Sequence, residues 1–304
     1  MVQKNTEDKA VNNTEDSKRS VQEFSANPLF TVDAFDDGLA IGHHSQEDLT
    51  ASILDTFSLR LPSERQVVKL RSRYLLDKKQ PFVELEKQLI RLSSQGVLRK
   101  TILILGVNND PFHPFEGRFD AAMKFLSLFE RYTPGVLCIQ TRSPLIVLSL
   151  PVLKRLGKHC LINFVLETTS QEIASRYAPD LPRVDERLKA VKTLSGFGIS
   201  VRIQLSPLLP YGDWRKDAST CAQELLRCAP HIGIRSLSDG TSKGAKKLRT
   251  ASVAQELAKD RRFHWLRPDA EKPLSDAIQK ISPTALQQPT WEHLKDTQLG
   301  IFAA

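Results

Sequence analysis

The sequence predicts an α/β fold, because apolar runs of strand length alternate with longer segments of helical period along most of the chain. The apolar runs are dense in Val, Ile and Leu without alternation, as expected for strands buried on both faces of a parallel sheet. The 304 residues, 40% of them hydrophobic, suffice for a full core. Six strand–helix units do not close an eight-stranded barrel, so an open barrel and a doubly wound sheet both remain.

The elements follow a polar N-terminal tail in chain order. Residues 1–25 have almost no apolar side chains, and we expect them to be disordered. The predicted strands are Ile53–Arg60, Thr101–Val107, Gly135–Thr141, Cys160–Glu167, Ser200–Ser206 and Ile232–Leu237. Helical patterns lie at 64–77, 82–95, 117–131, 149–156, 183–196 and 218–228. The strand–helix units fill residues 26–240, and residues 241–304 form a basic helical extension with weak periodicity near Ala251–Lys259 and Pro273–Ile281.

The composition limits the class of function. The formal net charge is +8, and the excess of positive charge lies after the tail. A basic folded part is compatible with nucleic-acid binding and equally with an ordinary charged surface. The sequence has no apolar run of about 18 residues, no signal segment and only four scattered cysteines, so we expect a cytoplasmic protein without membrane association.

Polar residues follow the predicted strands at their carboxyl ends, where ligands bind in folds of this kind. They are Asn108, Asn109, Asp110, His113, Thr141, Arg142, Ser143, Glu167, Thr168, Thr169 and Ser206. We predict a polar rim around a pocket, with five candidate ligand-binding residues: Asp110, Thr141, Arg142, Glu167 and Ser206. One alternative is that Asp110 and Thr168 only cap helices. Another is an acid–base enzyme that uses Asp110, His113 and Glu167.

Several short motifs occur in an ordered series along the chain. The first is Asp110-Pro111-Phe112-x-Pro114-x-Glu116, preceded by Asn109. The others are Thr141-Arg142-Ser143, Glu186-Arg187-Leu188, Gly198-Ile199-x-Val201 and Ser206-Pro207-Leu208-Leu209-Pro210. Together they resemble the strand-end motifs of spore photoproduct lyase-like proteins, which are DNA-repair members of the radical S-adenosylmethionine (SAM) superfamily. Asn109 replaces a Thr of that pattern and Arg142 a Lys, and the likeness spans about residues 57–214.

The resemblance implies a partial (β/α)6 TIM-like barrel of radical SAM type, with a Cys-x3-Cys-x2-Cys motif after the first strand. Aligned without gaps, four residues here agree with the family, namely Glu64, Val68, Arg73 and Tyr74. The three cysteine positions are occupied by Ser63, Val67 and Leu70, and the first cysteine of the chain is Cys138. Three thiolates hold the [4Fe–4S] cluster of this family, so we expect no such cluster, no metal site and no radical chemistry.

The resemblance then implies a non-catalytic descendant, a pseudoenzyme that keeps a pocket of nucleoside or SAM size and acts as a binding or scaffold protein. Its partner would be an intact radical SAM relative or another protein. The alternatives are a non-radical enzyme that reuses the barrel and a nucleic-acid-associated protein related to DNA repair. The cations that favour nucleic acid are Lys243, Lys246, Lys247, Arg249, Arg261 and Arg262. These cations lie beside Phe263 and Trp265, whose rings could stack on exposed bases. The alternative is that the cations are a solvated helix face and that Phe263 and Trp265 belong to the core.

Overall fold

The computed structural model describes residues 31–33, 67–69, 81–94, 96, 98–100, 102–106, 110–112, 118–238, 240–287 and 289. Within this part, the chain is a mixed α/β protein built on a parallel sheet. The predicted tail at 1–25 and the predicted first strand Ile53–Arg60 lie outside the described residues. No helix of the described residues is both long enough and apolar enough to cross a membrane.

The strands of the sheet are β1 (Thr31–Asp33), β2 (Val67–Lys69), β3 (Ile102–Leu105), β4 (Val136–Thr141), β5 (Cys160–Leu166), β6 (Ser200–Leu205) and β7 (His231–Ile234). They pair in the order β2-β1-β3-β4-β5-β6-β7, and every pair is parallel. From β3 onward each new strand is therefore added at the same edge of the sheet.

The helices of the described residues connect and follow these strands. They are α1 (Pro81–Ser94), α2 (Arg118–Arg131), α3 (Leu150–Leu156), α4 (Gln171–Tyr177), α5 (Val184–Gly196), α6 (Ala218–Leu226), α7 (Ser242–Thr250), α8 (Ser252–Lys259) and α9 (Lys272–Ile281). Short 3-10 turns lie at Leu98–Lys100, Pro144–Ser149, Gly157–His159 and Phe263–Leu266.

Five of the six predicted strands are confirmed, as β3 to β7. The helix predicted at 64–77 is wrong at Val67–Lys69, which is a strand. These residues form β2, which pairs in parallel with β1 through Thr31 and Val67. Two consecutive β-branched valines favour an extended strand over a helix. The prediction missed β1 because three residues carry no readable period.

The two faces of the sheet differ in chemistry. The core face carries the strand side chains that belong to the main hydrophobic core: Leu103, Leu105, Leu137, Ile139, Cys160, Ile162, Phe164, Leu166, Val201, Ile203, Leu205 and Ile232. The polar face carries Cys138, Gln140, Asn163, Arg202, Gln204 and His231, which the strand register places side by side. The buried apolar residues of the polar face, Val136, Leu161 and Val165, stand outside the main core cluster. The apolar side chains of the helices therefore pack against one face of the sheet.

The segment after residue 240 packs on that same core. Its helix α9 lies against α6, and the backbone N–H of Ile232 in β7 donates to the carbonyl of Ala285 at 2.8 Å. Its buried residues Leu257, Trp265, Leu274 and Ile278 belong to the main core cluster. The division of the chain at residues 25 and 240 stays a prediction from composition.

Candidate functional site

The carboxyl ends of β3 to β6 carry the predicted rim residues, and the structure joins four of them by hydrogen bonds. These four are Asp110, Thr141, Arg142 and Glu167. Parallel strands end at the same edge of a sheet, so residues far apart in sequence meet there. The fifth, Ser206, follows β6 and is buried at the same edge.

Asp110 fastens the end of β3 to the end of β4. Its Oδ1 accepts hydrogen bonds from the Thr141 hydroxyl at 2.6 Å and from the backbone N–H of Phe112 at 2.9 Å. Its Oδ2 accepts from the backbone N–H of Arg142 at 2.7 Å. A carboxylate with three such donors positions its neighbours, and in this case it orients the start of the Arg142 side chain.

Gly106 permits this close approach of β3 and β4. Its φ of +94° lies in the left-handed region, and a Cβ at this position would stand 2.3 Å from the carbonyl oxygen of Gln140. The carbonyl of Gly106 in turn accepts a hydrogen bond from the Gln140 side chain at 3.3 Å. A glycine is therefore required for the strand end that presents Asp110.

Glu167 is the centre of the rim's charge network. Its side chain is 1% exposed and accepts from Nε of Arg142 at 3.0 Å and from Nη2 of Arg187 at 2.8 Å. The Arg142 side chain is 19% exposed, whereas that of Arg187 is fully buried. Two guanidinium groups share the Glu167 carboxylate, and the Asp110 carboxylate contacts the Arg142 backbone, so two cations and two anions meet at this edge.

Arg187 was not among the predicted rim residues. It projects from α5 toward the end of β5, where Nη2 also donates to the carbonyl of Val165 at 2.6 Å. The sequence did carry a signal, because Arg187 interrupts the buried stripe of Val184, Leu188 and Val191 on α5. An arginine in an apolar helix stripe needs a buried partner, which is Glu167.

The donors of Arg187 are only partly satisfied. Its Nε and Nη1 are buried and have no hydrogen-bond partner among the described residues. A buried N–H without an acceptor is costly, so such atoms in a folded protein call for a water, an ion or a ligand. The chemistry that satisfies them is an oxygen acceptor, preferably a negatively charged one.

Ser206 and Thr168 complete the edge through the backbone. The N–H of Ser206 donates to the carbonyl of Leu166 at 2.8 Å, and the Ser206–Pro207 peptide bond is cis. The Thr168 hydroxyl donates to the carbonyl of Pro210 at 2.6 Å. Thr168 does not cap α4, because Ser170 occupies that position and accepts from the N–H of Ile173. Ser206 thus lies beside the network, and no described hydrogen bond of its hydroxyl joins it to Glu167.

Part of the predicted site lies outside the described residues. This holds for Asn108, Asn109 and His113, so the acid–base arrangement of Asp110, His113 and Glu167 stays a prediction. Pro114 and Glu116 also lie outside the described residues, and the side chains of Lys243 and Lys247 are outside the described part as well. Asp110 and Glu167 are both hydrogen-bonded to Arg142, one to its backbone and one to its side chain.

The residues at the predicted cluster positions do not fit an iron–sulfur cluster. Val67 is the first residue of β2, and Ser63 and Leu70 lie outside the described residues. None of the three side chains has a sulfur to donate. Within the described part of the chain, no three His, Cys, Asp or Glu side chains are placed to hold a metal ion.

The four cysteines lie on or beside the strands and α6. Burial raises the pKa of the Cys138 thiol to about 12, and a nearby Arg202 lowers it only in part. Burial also raises the pKa of Cys160, and that of Cys221 to about 12. These thiols are protonated at neutral pH and pack as small apolar groups, which argues against a role as replacement cluster ligands.

The fold and its edge define an α/β protein with a partly buried site of paired charged side chains at the carboxyl ends of a parallel sheet. In comparisons with protein-family models, curated proteins and solved structures, the chain matches none. The relationship to radical SAM proteins accordingly rests on the sequence motifs and stays a prediction.

Proposed function

We propose that the chain is a non-catalytic binding protein whose carboxyl-edge site takes a nucleoside-sized ligand that carries a carboxylate, with SAM as the first candidate. The observation that carries the proposal is Arg187, a fully buried arginine with two N–H groups that lack an acceptor. Arg142 lies on the opposite side of the Glu167 carboxylate and is partly open to solvent. A ligand carboxylate beside Arg142 would also supply the acceptor that the free N–H groups of Arg187 lack.

The proposal includes a partial barrel of radical SAM type. Right-handed crossovers that always add the next strand at one edge place all helices on one side of the sheet, which is the winding of a barrel. The order of β3 to β7 and the single core face both favour this arrangement over a doubly wound sheet. A polar face toward a lumen also accounts for the row Gln140, Asn163 and Arg202.

If SAM is the ligand, its amino-acid end would lie at Arg142 and Arg187, since these are the cations of the described rim. The iron of an intact family member would add anchoring that this chain lacks, so the arginines must supply most of the attraction. Arg142 in place of the family's Lys favours this role, because its planar fork can hold a carboxylate through two hydrogen bonds.

The test is calorimetric titration of the purified chain with SAM, S-adenosylhomocysteine, methylthioadenosine and adenosine. We expect binding of SAM that weakens at least about tenfold in Arg142→Gln, the effect of losing one charged hydrogen bond. The matched control is Arg183→Gln, which removes an exposed arginine that pairs with Asp185. The absence of heat with all four compounds, or equal affinity in both variants, would contradict the proposal.

A second candidate function is single-stranded nucleic-acid binding, and the exposed ring of Phe263 favours it. The Phe263 side chain is 60% exposed and directly follows Arg261 and Arg262 in the sequence. Exposed aromatic and cationic groups together suit stacking and phosphate contact. Of the two alternatives for Trp265, a stacking surface or a core position, the second holds, because its side chain is only 3% exposed and belongs to the core.

The nucleic-acid candidate is tested by fluorescence anisotropy with a labelled single-stranded oligonucleotide over a range of salt concentrations. We expect the triple variant Lys246→Gln/Arg249→Gln/Arg261→Gln to bind more weakly and with a shallower salt dependence. The control triple is Lys158→Gln/Lys189→Gln/Arg227→Gln, which removes the same charge from other exposed positions. Equal loss in both triples would indicate only a net-charge effect, and no binding at low salt would exclude this function.

A further inference from the structure

The 3-10 turn Phe263–Leu266 packs on the loop that follows β6 through four aromatic rings. The imidazole of His264 stacks on the indole of Trp214, with centroids 4.0 Å apart and planes 7° apart. Trp265 meets the ring of Tyr211 edge-on at 4.9 Å and 84°. The Tyr211 hydroxyl donates to the carbonyl of Trp214 at 3.2 Å and stiffens the loop. We call these four residues the aromatic latch.

The latch lies next to the candidate site. The loop that carries Tyr211 and Trp214 begins at the carboxyl end of β6 and is bonded to the rim residues beside it. The backbone N–H of Leu209 donates to the carbonyl of Glu167 at 2.8 Å, and the carbonyl of Pro210 accepts from Thr168. A change in the latch therefore acts on a loop that borders the charge network.

His264 sits in the latch in a way that suits only its neutral ring. Its Nε2 is buried and has no hydrogen-bond partner among the described residues. A proton on Nε2 would be a buried, unsatisfied donor on a charged ring. Burial accordingly lowers the pKa of His264, and the nearby cations Arg267 and Arg215 lower it further.

Two groups act in the opposite direction. The backbone of Ala270 and the carboxylate of Asp269 favour the charged ring. Asp269, however, is engaged by Arg267 through two hydrogen bonds of 2.9 and 2.7 Å. Trp214 could attract an imidazolium through its π face, but its other face already holds the guanidinium of Arg215. If His264 were protonated, its imidazolium and the Arg215 guanidinium would lie on opposite faces of the Trp214 indole.

We propose that the stack of His264 on Trp214 is a pH-sensitive latch, closed when the imidazole is neutral and released when it gains a proton. Release separates the His264 imidazole from the Trp214 indole, while Trp265 stays packed in the core. This inference does not depend on the ligand proposed above, because it concerns a contact within the chain. Its basis is the geometry of the four rings and the cations that surround one imidazole.

The sign of the pH dependence follows from the two states of the latch. The free ring titrates near 6.5, and the stacked ring titrates below that value. The closed state is therefore fully favoured above about pH 6.5 and loses its advantage as the pH falls. Each unit of difference between the two pKa values changes the ratio of closed to open latch by about tenfold.

The test uses tryptophan fluorescence of the full chain between about pH 8 and pH 5, the range in which histidine titrates. We expect a reversible change in emission on acidification, with a midpoint below 6.5. The variant His264→Phe keeps a stacking ring but cannot titrate, so it should lose the transition. The variant His159→Gln, which changes the last residue of the 3-10 turn before β5, should keep it. No transition in the wild type, or the same transition in His264→Phe, would overturn the proposal.

A second measurement decides the matter if His264→Phe does not fold. The pKa of His264 is read in the wild-type chain from its imidazole proton resonance by NMR, together with its cross-relaxation to the Trp214 indole. We expect a pKa below 6.5 and loss of the cross-relaxation on protonation. A pKa at or above 6.5, or an unchanged contact in acid, would refute the latch.

Discussion

The buried charge network makes a strong prediction for Glu167→Gln. This change keeps the shape of the side chain but leaves Arg187, which is fully buried, without its counter-charge. One amide oxygen can still accept from one arginine, while the amide NH₂ would face the donors of the other. Removing one partner of a buried ion pair typically costs about 3–5 kcal/mol, because the remaining charge is uncompensated. We therefore expect Glu167→Gln to lower the free energy of unfolding by that amount.

The assay is chemical denaturation followed by circular dichroism, with thermal unfolding as a check. A loss of about 3–5 kcal/mol corresponds to a fall of roughly 6–20 °C in the melting temperature of a domain of this size. The double variant Glu167→Gln/Arg187→Met removes the stranded charge and should recover about 1–4 kcal/mol. The exposed pair Arg183–Asp185 is the control, and Asp185→Asn should change stability by less than about 1 kcal/mol.

Two results would refute this account of the network. A change of less than about 1 kcal/mol in Glu167→Gln would mean that the carboxylate does not compensate a desolvated arginine. A double variant that is less stable than Glu167→Gln alone would mean that Arg187 is stabilised by groups other than Glu167.

The remaining predictions concern backbone geometry, acid stability and thiol reactivity. Gly106→Ala should destabilise the chain by more than about 2 kcal/mol. The control is Gly198→Ala, which should cost about 1 kcal/mol, because Gly198 has a φ of +80° but no atom near the added Cβ. Equal costs of the two changes in chemical denaturation would contradict the close contact of Gly106 with Gln140. Hydrogen bonds from Arg176 and Tyr177 hold the pKa of Asp260 at about 2, so its stabilising effect is complete above pH 3.8 and is lost as the pH falls toward 2. Asp260→Asn should remove this part of the acid-unfolding curve, and an unchanged curve would contradict it. In alkylation with iodoacetamide monitored by mass spectrometry, Cys228 should react first, because it is only partly buried, although burial raises its pKa too. Cys138, Cys160 and Cys221 are buried and should react only after unfolding, and early labelling of Cys138 would contradict its burial.

The sequence was sufficient for the strands from β3 onward because each is a dense apolar run of readable length. The periods of α2, α5 and α6 were equally clear, and the structure confirms them within two or three residues. The sequence was insufficient at Val67–Lys69, because the apolar residues there follow a helical period although Val67 and Val68 pair with β1. Pairing between distant segments decides such short strands, and local periodicity does not record it.

The location of the candidate site could be predicted from the sequence, but its hydrogen bonds and ion pairs could not. Strand ends place Asp110, Thr141, Arg142 and Glu167 at one edge, and the topology of parallel sheets makes that placement a general expectation. Arg187 comes from a helix, so a search of strand ends does not find it. The pairing of Trp214 with His264 joins segments that are 50 residues apart and have no sequence motif in common. Only the tertiary packing brings these rings together.

The central claim is that the carboxyl edge binds the carboxylate of a nucleoside-sized ligand without an iron–sulfur cluster. It is tested most directly by titrating the iron-free wild-type chain and the Arg187→Met variant with SAM in a calorimeter. The account predicts saturable binding of one SAM per wild-type chain and a large loss of affinity in Arg187→Met. An iron-free chain that gives no heat with SAM, or an Arg187→Met variant that binds it as tightly as the wild type, would contradict the account.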